Sequence, residues 1–280
     1  MIRKGQQMRV TRVLQAGVAV AAAVALLSAC GGGGNSGNSG SGGDKKLTVG
    51  IKFDQPGLGL KTGSGYTGFD VDVATFVAKE LGVDAKNINW VEAKSADRES
   101  LLKKGDVDLI AATYSITDKR KAEVDFVGPY LVTGQDLLVK AGNTDITGPE
   151  AVNGKKLCSV KGSTSADNVK TKFANQVQLQ PFDGYSQCLG GLDSGTVDAL
   201  TTDATILAGL ATQHPGKYKL VGKVFSEEKY GIGLKKGDNR KADVAKAVEK
   251  FYSSGEWKKA VEKNLGADFK AGEPPALTEK

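Results

Sequence analysis

Few residues in this 280-residue chain could do covalent chemistry. Histidine occurs once, at His214, directly before Pro215 and among polar neighbours. A Ser-His-Asp triad or a histidine-based metal site would have to use it, and nothing nearby supports either. It reads as a loop residue. No Cys-x-x-Cys, His-Glu-x-x-His, phosphate loop or Gly-x-Ser-x-Gly is present. The chain does offer a place to hold an anion. Gly162-Ser-Thr-Ser165 follows a strand-like run and opens a helical one, so backbone N–H groups can face a negative charge. It lacks the lysine and glycine spacing of a nucleotide loop. No catalytic residue, metal or cofactor is implied.

The overall charge is +6, with 38 basic and 32 acidic residues. Such a balance would suggest nucleic acid or acidic lipid if the charge lay on the folded body. Four basic residues (Arg3, Lys4, Arg9 and Arg12) lie instead in residues 1–29, which contain no acid. Without them the net is +2, from 34 basic and 32 acidic residues. The remaining lysines are scattered and aromatics are only 6%, so nucleic acid is not expected as a partner. An apolar run from Val13 to Leu27, broken only by Gln15, follows the early charges. It is shorter than the roughly 20 apolar residues needed to span a bilayer. With small residues at its end, it reads as a secretory signal. Leu27-Ser-Ala-Cys30 resembles a bacterial lipobox, which implies cleavage before Cys30 and a diacylglycerol on its sulfur. An ordinary signal or an uncleaved anchor is the alternative. Gly31 to Gly43 contains only Gly, Asn and Ser, a composition that behaves as a flexible tether. The remaining Cys158 and Cys188 are predicted to pair, because an exported protein meets oxidising conditions. Two buried free thiols are the alternative.

These features hang on alternating strands and helices. Strands are expected at Leu47–Ile51, Ile88–Val91 and Val107–Ala111. Between them lie helices over Asp70–Leu81 and over a stretch capped by Ser95 and running to Lys104. The cycle repeats with strands at Lys156–Val160, Val177–Leu179 and Val197–Leu200. Its helices are Ser163–Phe173, Tyr185–Leu192 and Asp203–Ala211. Two such blocks suggest two α/β lobes. Joins are expected near Gln135–Ala141 and Lys229–Lys236, both β-like runs flanked by glycine. Gly105-Asp-Val-Asp-Leu109 weakly echoes Gly195-Thr-Val-Asp-Ala199. Two helices broken at Ser253-Ser-Gly255 close the body, and the tail from Lys270 reads as frayed. The resulting plan is a signal at 1–29 and a lipidated Cys with its tether at 30–44. The first part of lobe 1 follows at 45–136, lobe 2 at 137–231 and the return to lobe 1 at 232–280.

Five segments resemble the family 3 extracellular solute-binding proteins, which serve polar amino-acid ABC transporters. They are Gly68-Phe-Asp-Val-Asp-Val73, Ala111-Ala-Thr-Tyr-Ser-Ile-Thr-Asp-Lys-Arg120, Gly162-Ser-Thr-Ser165, Asp198-Ala-Leu-Thr-Thr-Asp203 and Gly255-Glu-Trp257. The likeness spans about Lys46 to Gly266. It is nearest to glutamate-binding lipoproteins of actinobacteria, through Lys52-Phe-Asp-Gln-Pro-Gly57 and the two cysteines. The resemblance implies a two-lobe α/β fold of the periplasmic-binding-protein type II class, with a ligand cleft between the lobes.

A free amino acid carries a carboxylate and an ammonium, and a closed cleft must pair both. Arg120 can grip the α-carboxylate with two parallel hydrogen bonds. Ser115 and the N–H groups around Thr164 can complete that shell. The Thr113 carbonyl and Asp203 can take the ammonium, roles that the matching family positions share. Glutamate brings a second carboxylate, and Lys52 and Arg98 are expected to pair it, with Ser95 assisting. Ser95-Ala-Asp-Arg98 is similar to a Ser-x-x-Arg stretch that holds the ligand in Gram-negative glutamate/aspartate-binding proteins. Phe53 and Tyr185 are candidate cleft walls. The bland alternatives are surface charges for Lys52, Arg98 and Arg120, a helix cap for Asp203, and core packing for Phe53 and Tyr185.

The expected function is lipid-anchored capture of glutamate outside the cell membrane and delivery to ABC permease subunits, by a monomer. Another polar amino acid (aspartate, glutamine or asparagine), a sensor role, and an enzyme on the same fold are the rival readings.

Overall fold

A computed structural model describes residues 45–266, 269 and 272–280. The expected signal, Cys30 and the tether lie outside the described residues. Lobe 1 begins with β1 (Leu47–Ile51) and a small antiparallel sheet of β2 (Asp54–Gln55), β3 (Gly59–Thr62) and β4 (Gly65–Thr67). Then come α1 (Phe69–Glu80), β5 (Ile88–Glu92), α2 (Arg98–Lys104), β6 (Leu109–Ile110), α3 (Asp118–Glu123) and β7 (Asp125–Thr133). Lobe 2 comprises β8 (Gln135–Lys140), β9 (Lys156–Val160), α4 (Ser165–Lys172), β10 (Gln178–Phe182), α5 (Tyr185–Ser194), β11 (Ala199–Asp203), α6 (Ala204–Thr212) and β12 (Tyr218–Leu220). The chain returns through β13 (Glu228–Leu234) and ends with α7 (Lys241–Ser253) and α8 (Glu256–Leu265).

Each lobe is built on a five-stranded sheet, with strand orders β5-β1-β6-β13-β7 and β10-β9-β11-β8-β12. In both, the first strand of the lobe's own α/β unit lies parallel to its neighbours, and the crossover strands run antiparallel. The first crossing lies at Gly134, between β7 and β8. The second lies between Leu220 and Glu228, so the boundary expected at 231/232 falls inside β13. A β-like run flanked by glycine does not say which sheet it joins.

Helix α1 forms because Phe69, Val73, Ala74, Val77 and Ala78 recur on one buried face, with Asp70 and Asp72 in its first turn. Its entry turns on Gly68, at φ 125°, where a Cβ would lie 2.1 Å from the Leu58 carbonyl oxygen. Buried Phe69, Phe251 and Trp257 pack α1 against α7 and α8. The Trp257 indole N–H donates to the Tyr130 carbonyl at 2.8 Å, which accounts for the Gly255-Glu-Trp257 segment.

Two expectations are corrected by the structure. Helix α2 starts at Arg98 rather than at a Ser95 cap, because the Ser95 hydroxyl is engaged by Lys52. The tail is tied down: Gly128 and Glu279 form an antiparallel bridge, and Lys121 pairs with Glu279 at 3.1 Å. The small sheet over 54–67 also went unforeseen, since its strands are too short to show alternation. Cys158 on β9 and Cys188 on α5 are joined by a disulfide, fully buried, with Cα atoms 5.7 Å apart.

Candidate functional site

Seven segments converge where the lobes meet. Ser95, Arg98, Thr113, Ser115 and Arg120 from lobe 1 face Thr164, Tyr185 and Asp203 from lobe 2 around one cavity. Ser163, Ser165, Thr202 and Ile206 complete its wall. The room left for a water-sized sphere is about 10 Å³, close to one water. A wider vestibule of about 690 Å³ opens outward past Glu99, Gly162 and Glu228. The lobes touch directly here. Arg120 Nη2 donates to the Gly162 carbonyl at 3.0 Å, and the Tyr185 N–H donates to Asp54 Oδ2 at 2.8 Å. An amino acid therefore enters only when the lobes part.

Arg120 sits on α3, whose Thr117 cap accepts the Arg120 N–H at 3.2 Å. Its Nη1 donates to the Ser115 carbonyl at 2.8 Å, and Glu99 lies 3.5 Å from its Nε. Arg98 opens α2 and is only 2% exposed. Its Nη1 donates to the carbonyls of Ala112 and Thr113 at 3.0 and 3.2 Å. Its guanidinium stacks 4.1 Å above the Tyr114 ring, which Arg120 flanks at 5.1 Å. The Arg98 Nε–H is buried without a partner. Burial, and then the like charge of Arg120, bring Arg98 down to about 10. Neither arginine is a surface charge.

Lys52 lies one layer behind the wall rather than on it. It is 5% exposed, and its Nζ donates to Ser95 Oγ at 2.7 Å. Burial, then Arg98, hold it well below the ordinary lysine value. Phe53 does not line the cavity. It packs on Tyr66, with ring centroids 5.1 Å apart.

Asp203 ends β11 and occupies the N-cap position of α6, as the cap alternative has it, but its side chain makes no capping hydrogen bond and is free to face the cavity. Its carboxylate accepts the Tyr230 hydroxyl at 2.6 Å. Burial, helped by Glu228, pushes it up to about 7. Tyr185 opens α5, and its hydroxyl shares a 2.5 Å hydrogen bond with Thr202 Oγ1. Around Thr164, Ser165 N–H donates to Ser163 Oγ at 3.2 Å at the head of α4.

Asp70, an acid outside the expected site, underpins one wall. Its Oδ2 accepts the Thr113 N–H at 2.9 Å, and its Oδ1 accepts the Tyr130 hydroxyl at 2.7 Å. Thr113 is the one non-glycine residue with positive φ, 45°, among the described residues. The Asp70 bond holds it in that strained turn. Burial pushes Asp70 up to about 6, with Tyr130 opposing. An acid on the apolar face of α1 was the available signal. Among the described residues, no group of three or more His, Cys, Asp or Glu is placed to hold a metal ion.

Residues 47–267 match the model for bacterial extracellular solute-binding proteins, family 3. The chain belongs to that family. Its members act outside the cytoplasm, which fits this two-lobe α/β fold. The chain is 47% identical over 234 residues to the glutamate-binding protein GluB of Corynebacterium glutamicum, covering 79% of each chain. It is 38% identical over 226 residues to the glutamine-binding protein GlnH of an ABC transporter in Bacillus subtilis, covering 80% of this chain and 82% of that one. A solved ancestral arginine-binding protein bound to glutamine superposes with a TM-score of 0.74 at 37% identity. That match covers 79% of this chain and 98% of that one. As a family 3 member, this protein is a solute-binding protein for amino acids.

Proposed function

We propose that this family 3 protein captures glutamate outside the cell membrane and hands it to the permease of an ABC transporter. The supporting observation is a surplus of buried basic side chains on one side of the cleft. Arg120, Ser115 and the head of α4 suit an α-carboxylate. Asp203 and the Thr113 carbonyl suit the ammonium. That leaves Lys52 and Arg98, one with a single hydroxyl partner and one with an orphan Nε–H. Buried cations need counter-charges, and a second ligand carboxylate supplies one. Glutamine offers only an amide there and binds more weakly. The names of the corynebacterial and Bacillus relatives support the glutamate-or-glutamine choice.

Calorimetric titration with glutamate, aspartate, glutamine and asparagine tests this reading. Glutamate should bind tightest, aspartate next, and the amides at least about tenfold more weakly. Tight glutamine binding with no response to glutamate contradicts it. No turnover of these ligands is expected. The lipid anchor on Cys30 and the tether are part of the same proposal. Mass spectrometry of the mature protein should show a diacylated N-terminal Cys30, and an intact residue 1–29 segment would refute the anchor. The soluble body should sediment as a monomer.

A further inference from the structure

Lys52 is an unusual place for a permanent charge. It leaves β1 into a loop where Gly59 presses on its backbone, a Cβ there meeting the Lys52 carbonyl oxygen at 2.7 Å. The chain is thus fixed and the side chain points inward, 5% exposed. An ammonium has three donors, yet among the described residues Nζ makes one hydrogen bond, to Ser95 Oγ at 2.7 Å. The charged groups around it are mixed. Arg98 at the head of α2 and Arg120 on α3 oppose a proton on Nζ, while Asp54 on β2 and Glu92 at the end of β5 favour one. Asp70 on α1 also interacts with its charge. Two of these acids are already engaged. Asp54 accepts the Tyr185 N–H, and Asp70 accepts from Thr113 and Tyr130. A buried amine with one hydroxyl partner and two guanidinium neighbours gives up its proton more readily than it stays charged.

We propose that Lys52 is a neutral amine in the free protein and takes up one proton when a ligand's side-chain carboxylate arrives, so that glutamate is distinguished from glutamine by a proton-coupled step. This rests on the reading that the distal carboxylate of glutamate meets Ser95 and Arg98 on the cavity wall, directly in front of Lys52. The proton comes from solvent and joins the Nζ lone pair. No bond in the ligand is made or broken. The carboxylate supplies, through the Ser95 layer, the counter-charge that Lys52 lacks. The amide of glutamine carries no charge, so Nζ stays neutral beside it. The direction of the Lys52 shift is the one this requires. At the other end of the ligand, Asp203 loses any proton it holds when the α-ammonium docks. That step is common to both ligands and cancels in their difference.

The test is calorimetric titration of the protein at pH 7 in buffers of different ionisation enthalpy. The slope of observed enthalpy against that quantity counts protons. Glutamate should take up about one proton more than glutamine. In Lys52→Arg the cation cannot be lost, so glutamate should still bind and the difference should fall to zero. A measurement without any variant guards against a misfolded one. The glutamate-to-glutamine affinity ratio of the wild type should fall by up to about tenfold per pH unit as pH rises from 7 to 9. Tight glutamate binding with equal proton counts for the two ligands, or a flat ratio across that range, overturns the inference. Failure of glutamate to bind at all contradicts the proposed function instead.

Discussion

In lobe 1, Gly105 ends α2 at φ 77°, and Asp108 then accepts the Thr48 N–H at 2.7 Å while its own N–H donates to the Thr48 carbonyl at 2.8 Å. In lobe 2, Gly195 ends α5 at φ 75°, and Asp198 does the same to Lys156, at 2.7 and 2.8 Å. The faint Gly-x-Val-Asp echo is therefore one device used twice. It turns a helix into a strand and locks that strand to the first strand of its sheet. The cleft faces carried by these matching scaffolds are opposite in chemistry. Lobe 1 contributes Arg98 and Arg120, backed by Lys52 one layer behind. Lobe 2 contributes Asp203, the N–H groups at the head of α4 and a row of hydroxyls. The shared device fixes where loops emerge, and the loops decide charge. A zwitterion needs both faces, so neither lobe should hold it alone.

The sharpest way to break this division of labour is to remove the anion of lobe 2. Asp203→Ala should weaken every amino acid by roughly two to four orders of magnitude, since unpairing a buried charge costs about 3–5 kcal/mol. Near-normal binding in calorimetry would mean the ammonium sits elsewhere. Next in size is the disulfide, which touches only lobe 2. Cys188→Ser should cost roughly 3–4 kcal/mol of stability by loop entropy. Denaturant unfolding checks this, and an unchanged midpoint contradicts it. Lys52→Met should lower glutamate affinity by about 30-fold or more and leave glutamine within a few-fold, moving selectivity rather than binding in general. A parallel loss for both ligands would make Lys52 a packing residue.

A smaller effect probes contact between the lobes. A Cβ on Gly162, at φ +75°, would lie 2.6 Å from the Ala96 N and Cα. Gly162→Ala should wedge the faces apart and weaken all ligands by about tenfold without changing their order. A separate effect is the pH dependence of the free protein, read as stability rather than affinity. Burial raises Asp203 to about 7 and Asp70 to about 6, against about 3.9 in the unfolded chain. The native carboxyls therefore keep protons that the unfolded ones release, and stability falls as pH rises from about 4 to 7. Thermal melts should show a lower midpoint at pH 7.5 than at pH 5, with a flatter profile in Asp203→Asn. Over the same range ligand affinity should rise, because the ammonium needs an ionised Asp203.

Much of this was legible in the sequence because the signals were local. Helical spacing exposed α1, and the glycines after Lys104 and Ser194 marked where helices stop. The order of five short segments exposed the family, and with it Arg120, Asp203 and Thr164 as neighbours. Other features depend on contacts between distant residues. Ser95 reads as a helix cap until Lys52, 43 residues earlier, takes its hydroxyl. Asp70 reads as a helix-start acid until Thr113 and Tyr130 reach it. Phe53 and Tyr185 looked equivalent as cleft walls. Only Tyr185 faces the cavity, since Phe53 packs beside Tyr66 on the small sheet.

The central claim is that the two faces read three charges of one ligand. A crystal structure of the protein with glutamate tests it most directly. The account predicts the α-carboxylate on Arg120 and the head of α4, the ammonium on Asp203, and the distal carboxylate within hydrogen-bond reach of Arg98 or Lys52. A bound glutamate whose side-chain carboxylate points away from both cations would contradict it.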